Sequence, residues 1–168
     1  MNRIQQMIEK NIDQYGIALQ YVFPTEEDPG PAFLYTIGMT NIGAPELIVF
    51  GLDPHMMMPI LNQIFDEIRK GFRPKKAEVI ADLMSVPLLL HPVSKDAISE
   101  FGVQCLEYYK HKGISPKFCQ VLWPDTDGKY PHEKGFQEHM RQHQPYIGTP
   151  PTLKLTDQSE ISTGNRLH

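Results

Sequence analysis

PELIVFGLDP, Pro45 to Pro54, sets the architecture. Glu46 to Leu52 is an almost continuous apolar run and reads as a strand near the centre of its sheet. Asp53-Pro54 then signals a helix start, with an acceptor at the cap followed by a residue whose φ is preset. The helix is expected to run to Lys70 with Gly71 as its stop, and Ile60, Leu61, Ile64, Phe65 and Ile68 form its inward stripe. Pro59 would clash with the carbonyl of His55. A short turn over Pro54 to Met58 is therefore expected, with the main helix starting at about Pro59.

Working upstream, Ala32 to Met39 reads as a strand joined to this one by Thr40 to Pro45. PTEEDPGP, Pro24 to Pro31, combines three prolines, a glycine and three acids, and is a solvated loop. Ile17 to Phe23 is a further strand. Ahead of it, Ile4, Met7, Ile8, Ile12 and Tyr15 recur at helical spacing within Asn2 to Tyr15, and Gly16 stops that helix.

Downstream, Lys75 to Leu83 is an extended connection or a short strand. Val86 to Val93 is a strand whose Pro87 and Pro92 place it at an edge or mark its ends. Ser94 caps a helix with Ile98, Phe101, Cys105 and Tyr108 or Tyr109 inward, ending at Gly113. Lys117 to Trp123 is a strand, and PDTDGK turns the chain back as a hairpin through Lys129 and Tyr130. A short helix fits Phe136 to Gln144. Residues 1–144 thus form one α+β domain with a mostly antiparallel or mixed sheet and helices packed on one face. Residues 145–168 lose periodicity and read as a tail, flexible or docked on a partner.

Composition agrees with a packed core: 168 residues, 40% hydrophobic and 21% charged. The net charge of −4 argues against a nucleic-acid module held by a basic face. No apolar run approaches the ~20 residues that span a bilayer, and the N-terminus lacks a cleavable apolar block. A cytoplasmic location is expected. With two cysteines, Cys105 and Cys119, there is neither a disulfide framework nor a four-thiolate zinc site.

Candidate chemistry concentrates after residue 120. Trp123, Asp125, His132 and Glu133 converge on one hairpin end, where an aromatic platform beside carboxylates suits a base, a sugar or an arginine of another protein. The competing reading is a buried tryptophan anchoring the hairpin, with Asp125 and Asp127 shaping its turn. Tyr35 in YTIGM, Tyr35 to Met39, is a further candidate binding residue, and Gly38 marks a bulge or a close backbone approach. His139 and His143 lie four apart on the proposed last helix, so one metal ion could bridge them, with Glu138 or His132 as a third ligand. Met140 stands where a zinc-protease motif needs glutamate, and a pair at this spacing near a chain end is more often a solvated helix face. Cys105 and Cys119 fall on inward-facing positions, where a thiol behaves as a small hydrophobe. Met56, Met57 and Met58 cannot all face one core, so at least one is exposed. No phosphate loop and no nucleophile elbow occur. No catalytic set, metal or cofactor is expected.

PAFLYTIGM at Pro31 to Met39, PELIVFGLDP at Pro45 to Pro54, VPLLLHPV at Val86 to Val93 and QVLWPDTDGKYPHEKGF at Gln120 to Phe136 together resemble the bacterial domain of unknown function 4262 family. The resemblance covers roughly residues 14 to 146, and an acidic Pro/Gly loop precedes the first block, as Glu26 to Pro31 does here. It implies a compact bacterial cytoplasmic domain and carries no catalytic residue.

Two functions follow as expectations. The first is a small non-enzymatic binding protein, of immunity or antitoxin type, that neutralises a partner protein such as a basic toxin. Residues 1–84 carry 7 basic and 11 acidic side chains against 9 and 9 in residues 85–168, and an acidic surface steers toward a basic partner. The alternative is a ligand-binding or hydrolase-like enzyme using a cleft near Trp123, Asp125, His132 and Glu133, where a His-Glu pair does acid–base work.

Overall fold

The computed structural model describes residues 2–73, 78–80 and 87–148. One mixed sheet of six strands organises it: β1 (Ala18–Val22), β2 (Phe33–Ile37), β3 (Glu46–Phe50), β4 (Glu78–Ile80), β5 (Leu88–Val93) and β6 (Phe118–Leu122). Their order across the sheet is β1-β2-β3-β6-β5-β4. All neighbours are antiparallel except β3 and β6, which run parallel with Leu47 opposite Cys119. The expected α+β class and mixed sheet are present, and the apolar run at Glu46 is central.

Four helices accompany the sheet: α1 (Arg3–Tyr15), α2 (Pro54–Arg69), α3 (Lys95–Ile98) and α4 (Val103–Lys110). They were expected on one face and instead cover both. Strand alternation is the reason. Leu34, Leu47, Val49, Leu88, Leu90, Cys119 and Val121 point to one face and pack under α2. Phe33, Tyr35, Ile37, Ile48, Phe50 and Phe118 point to the other and pack under α1, α3 and α4. Every residue of β2, β3 and β6 is buried, so each side of these strands needs a covering layer.

Local signals set most boundaries. Asn2 caps α1 by accepting from the Gln5 N–H, and Gly16 ends it at φ 91°. Asp53 caps α2, which runs unbroken through Pro59 rather than restarting there. Pro59 lies on the exposed side of that helix. The expected single helix after Ser94 is two, α3 and α4. At Gly102 between them an added Cβ would stand 3.0 Å from the Phe118 ring, so backbone presses directly onto the sheet.

β5 is not an edge strand, and its prolines mark its ends instead: Pro87 just precedes Leu88 and Pro92 adjoins Val93. Pro92 is tolerated because β4 pairs only with Leu88, Leu89 and Leu90, leaving no ladder bond for Pro92 to break on that side. The extended reading of Lys75 to Leu83 is met at Glu78–Ile80; its other residues lie outside the described ones. PDTDGK forms its turn, with the Asp125 N–H donating to the Lys129 carbonyl at 2.8 Å. No return strand follows among the described residues. The last helix is only a 3₁₀ turn, Glu138–Met140, so the i,i+4 argument for His139 and His143 does not apply. In α1 only Gln5 and Ile8 are buried; Ile4, Met7 and Tyr15 of the expected stripe are exposed.

The sheet face under α1, α3 and α4 also carries Gln120 of β6 and His91 of β5, and residues 144–148 lie across them. Gln120 donates from Nε2 to the Pro145 carbonyl at 2.7 Å and accepts from the Ile147 N–H at 2.9 Å. Gly148 bridges Val93. The start of the expected tail is thus docked on the domain, and residues 149–168 lie outside the described ones. Among the described residues no helix is long and apolar enough to cross a membrane.

Candidate functional site

Trp123 is buried against α2, in the cluster that also holds Met57, Ile60 and Ile64. Its indole N–H donates to the Phe50 carbonyl at 2.7 Å. Its backbone N–H donates to Gln144 Oε1 and its carbonyl accepts from Gln144 Nε2, both at 2.9 Å, so one side chain completes the ladder that β6 leaves open. The ring offers no open face for a ligand. It anchors the turn.

Asp125 is equally committed. One carboxylate oxygen accepts from the backbone N–H groups of Asp127 and Lys129, the other from that of Gln137. Burial pushes this carboxyl up, but those backbone donors and the Lys129 charge outweigh it and hold it below the ordinary range. Glu133 accepts from the Tyr130 N–H at 2.8 Å. These acids shape the loop.

His132 has a different environment. It stands 5.3 Å, centroid to centroid, from His91 and 5.5 Å from Tyr146. His91 Nδ1 lies 3.1 Å from the Pro92 carbonyl, which places its proton there and leaves Nε2 to accept from the Tyr146 hydroxyl at 3.2 Å. His132 Nδ1 is buried with no hydrogen-bond partner among the described residues. Burial and then the neighbouring His91 push the His132 imidazole below its ordinary value, against an opposing pull from Glu133. A depressed base binds its proton more weakly in the folded chain than in the unfolded one. Stability is therefore present above about pH 6.5 and is lost as pH falls through the folded-state value. Urea melts at pH 7.5 and pH 5 are expected to show this loss, and His132→Phe is expected to reduce it. Equal acid sensitivity in that variant would place the cause elsewhere.

Tyr35 sits apart from these residues, in the core on the opposite sheet face from Trp123. It is 1% exposed, and its hydroxyl accepts from the Gln104 N–H at 3.0 Å. Burial pushes the phenol far up, so it keeps its proton. Tyr35 lines a pocket of about 330 Å³ formed by Gln20 and Val22 of β1, Phe33 of β2, the loop from Phe23 to Pro31, and the α3–α4 junction at Glu100 to Gln104. Phe33 stacks on Tyr35, and Phe101 meets Phe33 edge-on at 5.5 Å.

Neither histidine of the 139/143 pair is buried. Among the described residues no group of three His, Cys, Asp or Glu side chains is placed to hold a metal ion. Cys105 is fully buried, which pushes its thiol up and away from thiolate chemistry, and Cys119 is buried within β6. Met57 is buried while Met56 and Met58 are exposed, as the three-methionine run requires.

The sequence places Trp123, Asp125, His132 and Glu133 at one hairpin end, whereas in the fold Trp123 packs with α2 and His132 packs against His91 and Tyr146. Sequence reasoning missed His91 and Tyr146, whose signal is only that each lies opposite another strand or segment. It also missed Phe101 and Glu100 beside Tyr35. The acidic Pro/Gly loop was visible as a loop, but its place over an aromatic pocket was not.

No curated protein and no solved structure matches the chain. The model of the family described as Domain of unknown function (DUF4262) matches residues 11–137, a span that includes Tyr35, its pocket and His132. The chain belongs to that family.

Proposed function

We propose that the protein is a non-enzymatic binding module of immunity or antitoxin type, acting in the cytoplasm by capturing and neutralising a basic partner protein. One observation carries this reading. Asp28 and Glu100 line the aromatic pocket and Glu26 and Glu27 precede Asp28 in the loop; all four are exposed, and none of them forms an ion pair with a described residue. The carboxyl groups and the tryptophan that could serve a catalytic site, by contrast, are spent on internal hydrogen bonds. Unpaired acids beside exposed apolar side chains suit encounter with a cationic surface.

The test starts with gentle capture from cells and native mass spectrometry, where a stoichiometric second polypeptide is expected. Association with that polypeptide should then slow severalfold as salt rises from about 0.05 to 0.5 M, because screening shortens the reach of the acids. A salt-insensitive on-rate would remove the electrostatic part of the reading. Recovery of the 19.2 kDa chain without a polypeptide would count against the whole of it.

The alternative, a ligand-binding or hydrolase-like site near Trp123, Asp125, His132 and Glu133, is favoured by the unpartnered His132 Nδ1 alone. A small molecule that raises the melting temperature of the chain but not of His132→Ala would support it.

A further inference from the structure

We propose that the pocket beneath the acidic loop receives an arginine side chain of the partner protein, an inference that rests on the protein-binding reading above. The cavity, about 330 Å³, has room for one long side chain rather than a folded element. Its lining is aromatic and aliphatic: Val22, Phe33, Tyr35 and Phe101 inside, with Phe23 and Val103 at the rim, 63% and 52% exposed. Asp28 and Glu100 stand in the same lining, one from the loop and one from the α3–α4 junction. Two acidic residues from separate elements in one aromatic lining match one ligand chemistry closely. A guanidinium is planar, weakly hydrated, able to stack on rings and to fork onto carboxylates, and its aliphatic stem covers apolar walls.

Anionic ligands are disfavoured by Asp28, Glu100 and the adjacent Glu26 and Glu27. Lysine is the poorer fit, since its compact ammonium keeps its hydration and neither stacks nor forks.

The test is a titration of the full-length, isotope-labelled chain with N-acetyl-arginine-N-methylamide, followed by amide NMR shifts. The citrulline and lysine amides serve as neutral and cationic controls. Shifts confined to Phe23, Tyr35 and Phe101 to Gln104 are expected. The arginine probe should bind about tenfold more tightly than citrulline, and the doubly substituted Asp28→Asn, Glu100→Gln chain should lose about that factor. Both replaced side chains are exposed, so folding is retained. Scattered or absent shifts, equal binding of citrulline, or an unchanged double variant would overturn the inference. A partner complex whose affinity ignores the double substitution would overturn the pocket while leaving the protein-binding reading standing. Arginine binding by a chain that forms no polypeptide complex would sink that reading, and with it the partner as the source of the side chain.

Discussion

Glu46→Gln is expected to cost about 3 kcal/mol of stability or more, since two or more buried donors would lose their acceptor at about 1–3 kcal/mol each. The Glu46 side chain is wholly buried at the start of β3. Oε1 accepts from the Thr36 hydroxyl at 2.7 Å and the Met39 N–H at 3.2 Å. Oε2 accepts from the Gly38 N–H at 3.1 Å, the Thr40 N–H at 2.8 Å and the Thr40 hydroxyl at 2.6 Å. Burial pushes this carboxyl up, and the bonds from Thr40, Thr36 and Gly38 oppose that push.

A glutamine can keep one oxygen in place, but its NH₂ must then face donors. Because the Thr36 hydroxyl also accepts from the Leu47 N–H at 2.9 Å, the disturbance reaches the β2–β3 pairing. Gly38 presents its N–H to Oε2 from a backbone that only glycine suits: at φ 127° an added Cβ would stand 2.8 Å from the Gly16 carbonyl oxygen. For a chain of this length the expected drop in melting temperature is roughly 6–12 °C. A drop below about 2 °C would mean that water reaches these donors.

Trp123→Ala is expected to cost about 3–5 kcal/mol, as large-to-small changes in a packed core do. The ring lies between α2 and the sheet, and the deletion also strands the Phe50 carbonyl that accepts its N–H. Trp123→Phe separates the two contributions. It keeps most of the apolar contact and loses the hydrogen bond, so about 1–3 kcal/mol is expected. Urea unfolding followed by circular dichroism measures both without the indole signal. The outcome bears on function as well. Partner binding lost by Trp123→Ala should disappear together with the fold, whereas Asp28→Asn with Glu100→Gln should weaken binding and leave the melt in place. A Trp123→Ala chain that melts normally but no longer binds would move the interface to the turn.

How much of this was visible in the residues differs from one element to the next. The acceptor at Asp53, the stop at Gly16 and the apolar run from Glu46 act within a few residues, and all appear where the pattern places them. Prolines act less locally. Pro59 suggests a break, yet α2 absorbs it on its exposed side, where packing of the inward stripe outweighs the local preference. Pro87 and Pro92 suggest an edge strand or strand ends; β6 and β4 flank β5, and the two prolines sit at its ends.

The candidate site was half legible for the same reason. Trp123, Asp125 and Glu133 are close in the chain, and the turn reading of the two acids needed only their spacing. His132 was flagged, but its neighbours were not: His91 is 41 positions away and reaches it only because β5 lies beside β6. Tyr35 was flagged without its setting. Its hydroxyl meets α4, 69 positions on, and its pocket closes only when β1, β2, the acidic loop and the α3–α4 junction meet.

Short-range pattern therefore determined the class of domain, the central strand, the helix starts and stops and the acidic loop, since propensity, capping and alternation act over one or two turns of chain. The tertiary structure decided which face each helix covers, which strand lies beside β3, and which side chains stand around Tyr35 and His132. Those contacts join residues tens of positions apart. Their free energy comes from burial and saturation of hydrogen bonds that exist only once the sheet has formed.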